Sequence, residues 1–292
     1  MNEIVVISGK GGTGKTSVTA AFAALAHRAV LVDCDVDAAD LHLVLSPTVE
    51  ETHDFFGGRH ARIIPARCRA CGACAERCQF AAIRQHADSG YRVDRLACEG
   101  CGVCAHFCPH GAMVFEETCN GQWFRSSMRF GPLVHARLGI AEANSGKLVA
   151  LIRREARKIA VATDAALLLV DGPPGIGCPV ISSLTGADHV VIVTEPTIAG
   201  RHDLQRVIAL TAYCHLPAGI IINKADLYPE GTEEIMRYAL ARKVAVLGCI
   251  PYDPVITQAQ LVGKSVIEYT DGPVSQALRE IWDRLLSFQR KE

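Results

Sequence analysis

The sequence predicts an α/β protein in which a small α+β module is inserted into a mostly parallel, doubly wound sheet. Three observations support this prediction. Short, continuous apolar runs alternate with longer helix-like stretches, as expected for strands buried on both faces of a sheet. A glycine-rich segment follows the first apolar run at once. Eight of the 13 cysteines lie between Cys68 and Cys108, and this clustering indicates a separate module.

The apolar runs indicate six strands, and the helix-like stretches indicate five helices. The predicted strands are Glu3–Ser8, Ala29–Asp33, Ala166–Val170, His189–Thr194, Gly219–Ile222 and Ala245–Ile250. The predicted helices are Lys15–His27, Lys147–Ala162, Arg201–Tyr213, Thr232–Arg242 and Val274–Phe288. About 130 residues separate the second strand from the third, too many for one crossover in a compact α/β domain. We therefore predict an inserted domain at 59–117, with 1–58 and 118–292 forming the discontinuous sheet domain.

Composition limits the classes of protein to which the chain can belong. Hydrophobic residues make up 49% and charged residues 21%, which suits a buried core and excludes a disordered chain. Lys and Arg (30) nearly cancel Asp and Glu (31), so no global basic field favours nucleic acid or acidic lipid. No apolar run approaches the roughly 18 residues of a membrane span, and the N-terminus lacks the layout of a secretory signal. We expect a cytoplasmic protein whose reduced thiols are available for metals.

The glycine-rich segment has the spacing of a phosphate-binding loop. It reads GKGGTGKT from Gly9 to Thr16 and fits G-x-x-x-x-G-K-[ST], between a predicted strand and a predicted helix. Backbone N–H groups of such a loop surround phosphate oxygens, and the helix N-terminus adds its dipole. We expect Lys15 at the β- and γ-phosphates and the Thr16 hydroxyl at Mg²⁺. The predicted nucleotide-binding residues of the loop are Gly11, Gly12, Thr13, Gly14, Lys15, Thr16 and Ser17.

The clustered cysteines form two runs with the same C-x2-C-x2-C-x3-C spacing. This is the bacterial ferredoxin run, in which the fourth cysteine ligates the other of two iron–sulfur clusters. We therefore predict a bacterial-type ferredoxin domain with two [4Fe–4S] clusters. The first cluster is assigned to Cys68, Cys71, Cys74 and Cys108, and the second to Cys98, Cys101, Cys104 and Cys78. Two zinc sites, each made of four cysteines, are the alternative, although zinc ribbons rarely use so tight a run.

The phosphate loop also resembles that of a known family. With its additional Lys10, GKGGTGKT is similar to the deviant Walker A motif of the MinD/ParA superfamily of P-loop ATPases, and LLLVDGPPG, which contains Asp171, is similar to a Walker B segment. The resemblance implies that Lys10 reaches the neighbouring subunit's nucleotide in an ATP-bound homodimer. It also implies that Asp35 positions the attacking water and that Asp171 lies in the Mg²⁺ shell. The expected activity is Mg²⁺-dependent ATP hydrolysis, with Lys10, Lys15, Asp35 and Asp171 as the catalytic residues.

A third segment bears on which base is bound. Asn223 and Lys224 begin the sequence NKAD, and in the MinD/ParA superfamily the Asn of a similar segment contacts adenine. The resemblance also implies that Pro251 closes over the base, and the predicted nucleotide-binding residues here are Asn223, Lys224, Pro251 and Asp253. NKAD also looks like the NKxD motif of GTPases, and the Asp226 carboxylate can accept hydrogen bonds from guanine. GTP is therefore the alternative to ATP.

Over nearly its whole length the chain resembles MinD-superfamily ATPases that contain an inserted ferredoxin domain, and more distantly the nitrogenase iron protein and iron–sulfur scaffold ATPases. The resemblance implies a nucleotide-gated dimer that couples ATP turnover to electron transfer or to metallocluster assembly and delivery. Its partner would be a redox or cluster-accepting protein, with no nucleic acid and no membrane span. The alternative is a positioning ATPase on a membrane or DNA, with structural clusters. The helix Val274–Phe288 bears on this choice, and we expect its apolar face to pack on the sheet because its polar face lacks Lys/Arg enrichment.

Cys178 is a further candidate ligand. It stands seven residues after Asp171, the offset at which the nitrogenase iron protein presents a cluster ligand. The resemblance implies that Cys178 and its symmetry mate hold a metal or cluster across a dimer interface. A buried structural thiol is the alternative, because free cysteine is among the most buried residue types.

Overall fold

The computed structural model describes residues 1–86, 90–139 and 144–289. The chain divides into two compact units. The first comprises Met1–His53, Trp123–Arg137 and the chain from Ser145 onward, and the second comprises Asp54–Gln122 and Leu138–Asn144. The segment 59–117, predicted to be an insert, lies within the second unit.

Strands and helices alternate through most of the chain. The strands are β1 (Asn2–Ser8), β2 (Ala29–Asp33), β3 (Thr48–Ile63), β4 (Ile83–His86), β5 (Gly90–Val93), β6 (Met113–Met128), β7 (Gly131–Leu138), β8 (Leu167–Pro174), β9 (His189–Thr194), β10 (Ala218–Asn223) and β11 (Ala245–Ile250). The helices are α1 (Lys15–Leu25), α2 (Leu41–Leu45), α3 (Ala73–Glu76), α4 (Val103–His106), α5 (Ser145–Ala162), α6 (Cys178–Leu184), α7 (Ile198–Tyr213), α8 (Pro229–Ala241), α9 (Val255–Leu261), α10 (Val266–Tyr269) and α11 (Pro273–Gln289).

The main sheet has nine strands in the order β11-β10-β9-β1-β8-β2-β7-β6-β3. Strand β1 lies between β8 and β9 and is parallel to both. The pairs β2–β8, β2–β7, β9–β10 and β10–β11 are also parallel. All six predicted strands are present, and the predicted mostly parallel α/β sheet is confirmed. Strand β8 continues past Val170 to Pro174, so Asp171 lies within the strand rather than after it.

Three strands of this sheet, β3, β6 and β7, were missing from the prediction. Strands β3 and β6 are antiparallel, because Glu51 pairs with Arg125 while Arg59, further along β3, pairs with Glu117, further back on β6. Only two residues separate β6 from β7, so these neighbours are antiparallel as well. Charged and polar residues are spread along β3 and β6, and the prediction relied on continuous apolar runs. Antiparallel strands at the edge of a parallel sheet are common.

The core of the first unit forms between the sheet and its helices. Phe22 of α1 is fully buried and packs against Trp282 of α11 in a tilted arrangement, with the ring centroids 5.0 Å apart. The apolar face of α11 is buried in the same core through Val274, Ser275, Leu278, Ile281, Trp282 and Leu285. The expectation that this helix packs on the sheet is therefore correct. Among the described helices, none has the length and apolar character needed to cross a membrane.

The second unit contains two similar halves around a small core. Strands β4 and β5 pair antiparallel, and each cysteine run carries one four-residue helix, α3 or α4. The core is built from Ala61, Ile83, Cys104 and Met113, with further cysteines packed around them. A core of this size stabilises little by itself, so small domains usually need disulfides or metals in addition.

A buried ion pair fixes α5 to the first strand of the sheet. Glu3 of β1 and Arg153 of α5 are each 3% exposed and form a close salt bridge. Arg153 also donates to the carbonyl oxygens of Ser182 and Thr185, at 2.6 and 2.9 Å. Arg157 reaches the other oxygen of Glu3 at 2.8 Å. Because both charges of the pair are removed from water, loss of one partner leaves the other poorly compensated.

The substitution Arg153→Met tests the contribution of this pair. We expect the free energy of unfolding to fall by about 3 kcal/mol, because Glu3 stays buried with only Arg157 as its partner. Urea unfolding followed by tryptophan fluorescence measures the change. Arg154→Met is the matched control, since the Arg154 side chain on the same helix is 65% exposed. Equal stability of the two variants would show that the buried pair contributes nothing.

Candidate nucleotide site and cysteine cavities

The phosphate loop connects β1 to α1 at the centre of the sheet. Gly12 and Gly14 have φ angles of 78° and 92°, in the left-handed region that favours glycine. A Cβ atom on Gly14 would also lie 2.3 Å from the Asn223 amide nitrogen, so the position excludes any side chain. Strand order brings the carboxyl ends of β1, β2 and β8 together, the position at which open α/β sheets bind ligands.

Lys15, the first residue of α1, lies at the centre of a buried polar network. Its ammonium donates to Asp171 Oδ1 at 2.8 Å and lies 3.7 Å from Asp35 Oδ2. The Thr16 hydroxyl donates to Asp171 Oδ2 at 2.8 Å, and the Thr19 hydroxyl lies 3.0 Å from Oδ1. The structure therefore brings together Lys15, Thr16, Asp35 and Asp171, which the sequence had named separately.

The charges in this network are not balanced. Asp33, which is fully buried, accepts hydrogen bonds from the backbone N–H groups of Asp35 and Leu41. Burial and the nearby Asp171 raise the pKa of Asp33 well above its ordinary value. Burial also raises the pKa of Asp35 to about 6. Burial alone would lower the pKa of Lys15, but Asp171, Asp33 and Asp35 raise it. One ammonium thus faces three carboxylates.

The residues present fit a magnesium-bound nucleotide. The buried Thr13 hydroxyl has no hydrogen-bond partner among the described residues. The space around Gly11 and Gly12 is open, because a Cβ atom built on either would contact nothing within 4 Å. The excess of carboxylates over ammonium suits a divalent cation, and backbone N–H groups at the start of α1 suit phosphate.

The Asn223 and Lys224 side chains contact the phosphate loop. The Asn223 amide donates to the Thr13 carbonyl oxygen at 2.8 Å, and the Lys224 ammonium donates to that of Gly12 at 3.4 Å. Lys224 also lies 3.2 Å from Glu195 Oε2, while Lys10 forms a close salt bridge with Glu195 Oε1. Burial alone would raise the pKa of Glu195, but hydrogen bonds from the two lysines lower it. Lys10 is therefore held by a carboxylate of its own chain.

The other residues expected near the base lie in the loops that follow β10 and β11. Asp226 accepts a hydrogen bond from the Tyr252 N–H at 2.6 Å, which ties the two loops together next to Pro251. Asp253 accepts from the Val255 N–H at 2.9 Å, at the start of α9. Ser17 accepts from the Gln260 amide at 2.8 Å. Asp226, Asp253 and Ser17 therefore each form a hydrogen bond within the chain.

Two cavities in the second unit are lined by the clustered cysteines. Cys68, Cys71, Cys74 and Cys108 line one cavity, of about 350 Å³ with its open mouth. Cys78, Cys98, Cys101 and Cys104 line the other, of about 330 Å³ measured the same way. Each cavity thus combines three thiols of one run with the fourth of the other. This is the crossed arrangement that the spacing indicates, and the donor set suits an iron–sulfur cluster.

The cavity thiols differ in their surroundings. All 13 cysteines are free of disulfides, and Cys104 is buried while Cys71 and Cys101 are exposed. Burial raises the pKa of Cys104 to about 11. Backbone hydrogen bonds lower the pKa of Cys108 despite its partial burial, and one of them comes from the Ala112 N–H at 3.3 Å. Across residues 1–86, 90–139 and 144–289, no three His, Cys, Asp or Glu side chains converge on one point as ligands of a single ion do.

Comparison with known proteins agrees with the geometry of the phosphate loop. Residues 4–266 match the CobQ/CobB/MinD/ParA nucleotide binding domain. The chain belongs to this family. The resemblance to MinD/ParA ATPases, drawn from residues such as Lys10, Lys15 and Asp171, is confirmed.

Relatives of this CobQ/CobB/MinD/ParA protein span its whole length. An uncharacterized protein of Methanocaldococcus jannaschii is 29% identical, with 98% of this chain and 97% of its own covered. An iron-sulfur cluster carrier protein of Pyrococcus horikoshii is 22% identical, with 98% of this chain and 85% of its own covered. The septum site-determining protein MinD of P. horikoshii, in complex with Mg-ADP, superimposes with a TM-score of 0.59 at 20% identity, covering 100% of this chain and 99% of that chain. The fold is that of MinD.

Three residues that contact the network around Lys15 or the lysines beside the phosphate loop were given no role by sequence reasoning. Glu195 was given no part in the site, Asp33 appeared only as the end of a strand, and Thr19 appeared only within the predicted helix Lys15–His27. The strand ends were a usable signal for Asp33 and Glu195, because polar residues at or just after the carboxyl ends of β2 and β9 lie on the ligand-binding edge. Thr19 carries no comparable signal, since its contact with Asp171 depends on how α1 packs against β8.

The contacts of Glu195 lead to a prediction about nucleotide affinity. Glu195→Gln is expected to tighten binding of nucleoside triphosphate roughly threefold, because Lys10 and Lys224 then no longer share a carboxylate that competes with phosphate. Titration with a fluorescent ATP analogue at low and high salt measures the change, and salt should weaken it.

A control separates this effect from a general gain of positive charge. Asp203 lies beside Gly9 and its carboxylate faces Arg206 at 3.9 Å, so Asp203→Asn removes a nearby negative charge without freeing Lys10 from Glu195. We expect Asp203→Asn to change affinity less than Glu195→Gln. Weaker nucleotide binding by Glu195→Gln would show that Glu195 maintains the shape of the loop instead.

Proposed function

We propose that this protein is an ATP-hydrolysing iron–sulfur protein that holds two [4Fe–4S] clusters and couples nucleotide turnover to electron transfer or cluster delivery. The observation that carries the proposal is the pair of cysteine cavities, each lined by three thiols of one run and one of the other. A chain with a phosphate loop but no cysteine cavities would hydrolyse nucleotide without binding iron–sulfur clusters. The relative named as an iron-sulfur cluster carrier supports the same conclusion.

Each charged residue of the nucleotide site has a role in the proposed hydrolysis. Lys15 would offset the charge of the β- and γ-phosphates, and Thr16 and Asp171 would hold Mg²⁺ between them. Asp35 would orient the attacking water, and its raised pKa of about 6 suits a group that also accepts a proton. Phosphoryl transfer depends mainly on positioning and electrostatics, and the buried network around Lys15 supplies both.

The cysteine cavities would bind their clusters through thiolates. In the first, Cys68, Cys71, Cys74 and Cys108 would be the ligands; in the second, Cys98, Cys101, Cys104 and Cys78. Clusters of this kind accept and release single electrons. Because several of these cysteines also belong to the small core of the second unit, cluster binding would contribute to its folding.

ATP is the proposed nucleotide, with GTP as the alternative to be tested. One carboxylate oxygen of Asp226, the residue on which guanine recognition would depend, already accepts a hydrogen bond from the Tyr252 N–H. Asn223 and Lys224 would hold the loop at the base end of the site, with Pro251 and Asp253 in the neighbouring loop. Competition between ATP and GTP for a fluorescent analogue distinguishes the two.

Nucleotide state would control the assembly of two copies of the chain. In the proposed dimer, Lys10 leaves Glu195 and reaches the nucleotide of the other subunit, so ATP binding and dimer formation support each other. The partner of this dimer would be a redox or cluster-accepting protein.

Cys178 is proposed to be a ligand at the interface of that dimer. It is an exposed thiol at the first residue of α6, a short distance beyond the Asp171 strand. The exposure of the thiol supports this role over the alternative of a buried packing residue. Two copies of Cys178 near the twofold axis would bind a bridging metal or cluster together with ligands from elsewhere.

The second candidate function, a positioning ATPase on a membrane or DNA, is less well supported. It depended partly on an apolar face of the C-terminal helix that is free to bind a membrane. That face is buried in the core through Leu278, Ile281 and Leu285. Flotation with anionic vesicles in the presence of ATP tests it directly.

Two substitutions should separate cluster binding from nucleotide binding. We expect about eight iron atoms per chain in anaerobically purified protein. Cys71→Ala should lower the iron content to about half and leave ATP binding intact. Lys15→Ala should abolish ATP binding and leave iron unchanged, because Lys15 and Cys71 lie in different units. About two zinc atoms and no iron in the wild-type protein would contradict the proposal.

The bridging role of Cys178 has its own test. Metal is counted in monomeric protein and in a dimer trapped with ATP by Asp35→Ala. We expect the trapped dimer to hold metal beyond its eight irons per chain, and Cys178→Ala to lose only that excess. Cys214→Ala, at a partly buried cysteine that ends α7, is the control. Unchanged metal in both states would remove Cys178 from the site.

A further inference from the structure

The two cysteine runs adopt the same backbone conformation. Gly72 and Gly102, at equivalent places in the runs, have φ angles of 79° and 84°. Ala70 and Gly100 have φ angles of 51° and 65°, and Ala81 and Gly111 have 50° and 56°. Left-handed backbone at three equivalent pairs of positions, two of them using alanine, shows that the two runs share one backbone conformation at these places. Residues at equivalent positions of the two runs can therefore be compared.

One equivalent pair carries opposite charges. Arg69 follows the first cysteine of its run, Glu99 follows the first cysteine of the other, and each lines its own cavity. Neither forms a salt bridge within the described parts of the chain, whereas Arg59 and Arg62 nearby are neutralised by Glu117 and Glu116. Arg69 and Glu99 are therefore uncompensated charges of opposite sign at matched positions.

A second pair of equivalent residues makes the first cavity more polar than the second. His110 lines the first cavity, and Phe80 stands at its place in the second. The first cavity also contains the Tyr91 phenol, while Phe115 lies in the second. The first cavity is therefore lined by a cation and two polar rings, and the second by an anion and two apolar rings.

These differences are expected to shift the reduction potentials of the two clusters in opposite directions. Reduction adds one negative charge to a cluster that is already anionic. A nearby cation stabilises that added charge, and a nearby anion or an apolar lining opposes it. The potential of an iron–sulfur cluster depends on such local charge and polarity, in addition to the ligands themselves.

We propose that Arg69 and Glu99 make the two clusters electrochemically unequal, the cluster in the Cys68 cavity being reduced more easily than the cluster in the Cys98 cavity. The inference rests on the proposed function, since it requires both clusters. In a chain that holds one electron, the electron resides in the Cys68 cavity. Transfer between the cavities moves one electron from the second cluster to the first, and no bond is formed or broken. Arg69 and Glu99 act through their charges and do not ligate metal.

The test is a titration of the clusters with dithionite, followed by electron paramagnetic resonance. Cys101→Ala leaves the cluster in the Cys68 cavity and Cys71→Ala leaves the one in the Cys98 cavity, so each signal can be assigned. We expect the first to appear at the higher potential. The exchange Arg69→Glu with Glu99→Arg keeps the net charge of the chain and should narrow or reverse the gap. Each single reversal should change the ratio of reduced to oxidised cluster at a fixed potential roughly threefold, as expected of exposed charges.

Two further measurements separate the effect of changing a charge from the effect of disturbing the structure. Arg84→Glu makes the same change of charge at an exposed residue that lines neither cavity, and it should move both potentials less. High salt should reduce the effect of the Arg69 and Glu99 variants. Two clusters whose potentials stay fixed through the exchange would overturn the inference and leave the proposed function intact. Absence of iron from the wild-type protein would overturn the proposed function itself.

Discussion

The nucleotide site depends on one unbalanced group of buried charges. Lys15 is the ammonium that Asp171, Asp35 and, through space, Asp33 all face, and these groups come from α1, β8 and the end of β2. The network therefore fixes the first helix to two strands at the centre of the sheet. It also leaves negative charge in excess; burial, together with the nearby Asp171, raises the pKa of Asp33 and of Asp35. A divalent cation with its nucleotide would relieve that excess, so the charges of the site suit the ligand that its phosphate loop indicates.

The interior of the second unit is built differently. Its core has few apolar residues, and the cysteines occupy much of the remaining interior. Thiols placed this way serve packing and ligation at once, so the fold of this unit and its binding of clusters are expected to be linked. The two halves repeat one backbone, yet Arg69 and Glu99 give them opposite charges. A duplicated scaffold can in this way hold two sites of one geometry and of different electrostatic character.

Much of this could be predicted from the sequence because the signals are local. Continuous apolar runs identified most of the parallel strands, and the spacing of the loop and of the cysteines identified the residues that line the site and the cavities. Strands β3 and β6 were missed because half-exposed antiparallel strands carry polar residues along their length. Strand β7 is parallel to β2 and was missed because its apolar run is short and is interrupted by the buried His135. The roles of Glu195 and Thr19 were missed because they depend on contacts between segments far apart in the chain. The exposure of Cys178 could not be read from its position after Asp171, since burial is decided by the packing of α6.

The central claim is that nucleotide binding and cluster chemistry are coupled in one protein. It is tested most directly by measuring the cluster reduction potentials, by electron paramagnetic resonance, without nucleotide, with Mg-ADP and with Mg-ATP. The account predicts that Mg-ATP shifts at least one potential in the wild-type protein and leaves both unchanged in Lys15→Ala, which retains its clusters but cannot bind the nucleotide. Identical potentials in all nucleotide states of the wild-type protein, with two clusters bound and ATP hydrolysed, would contradict it.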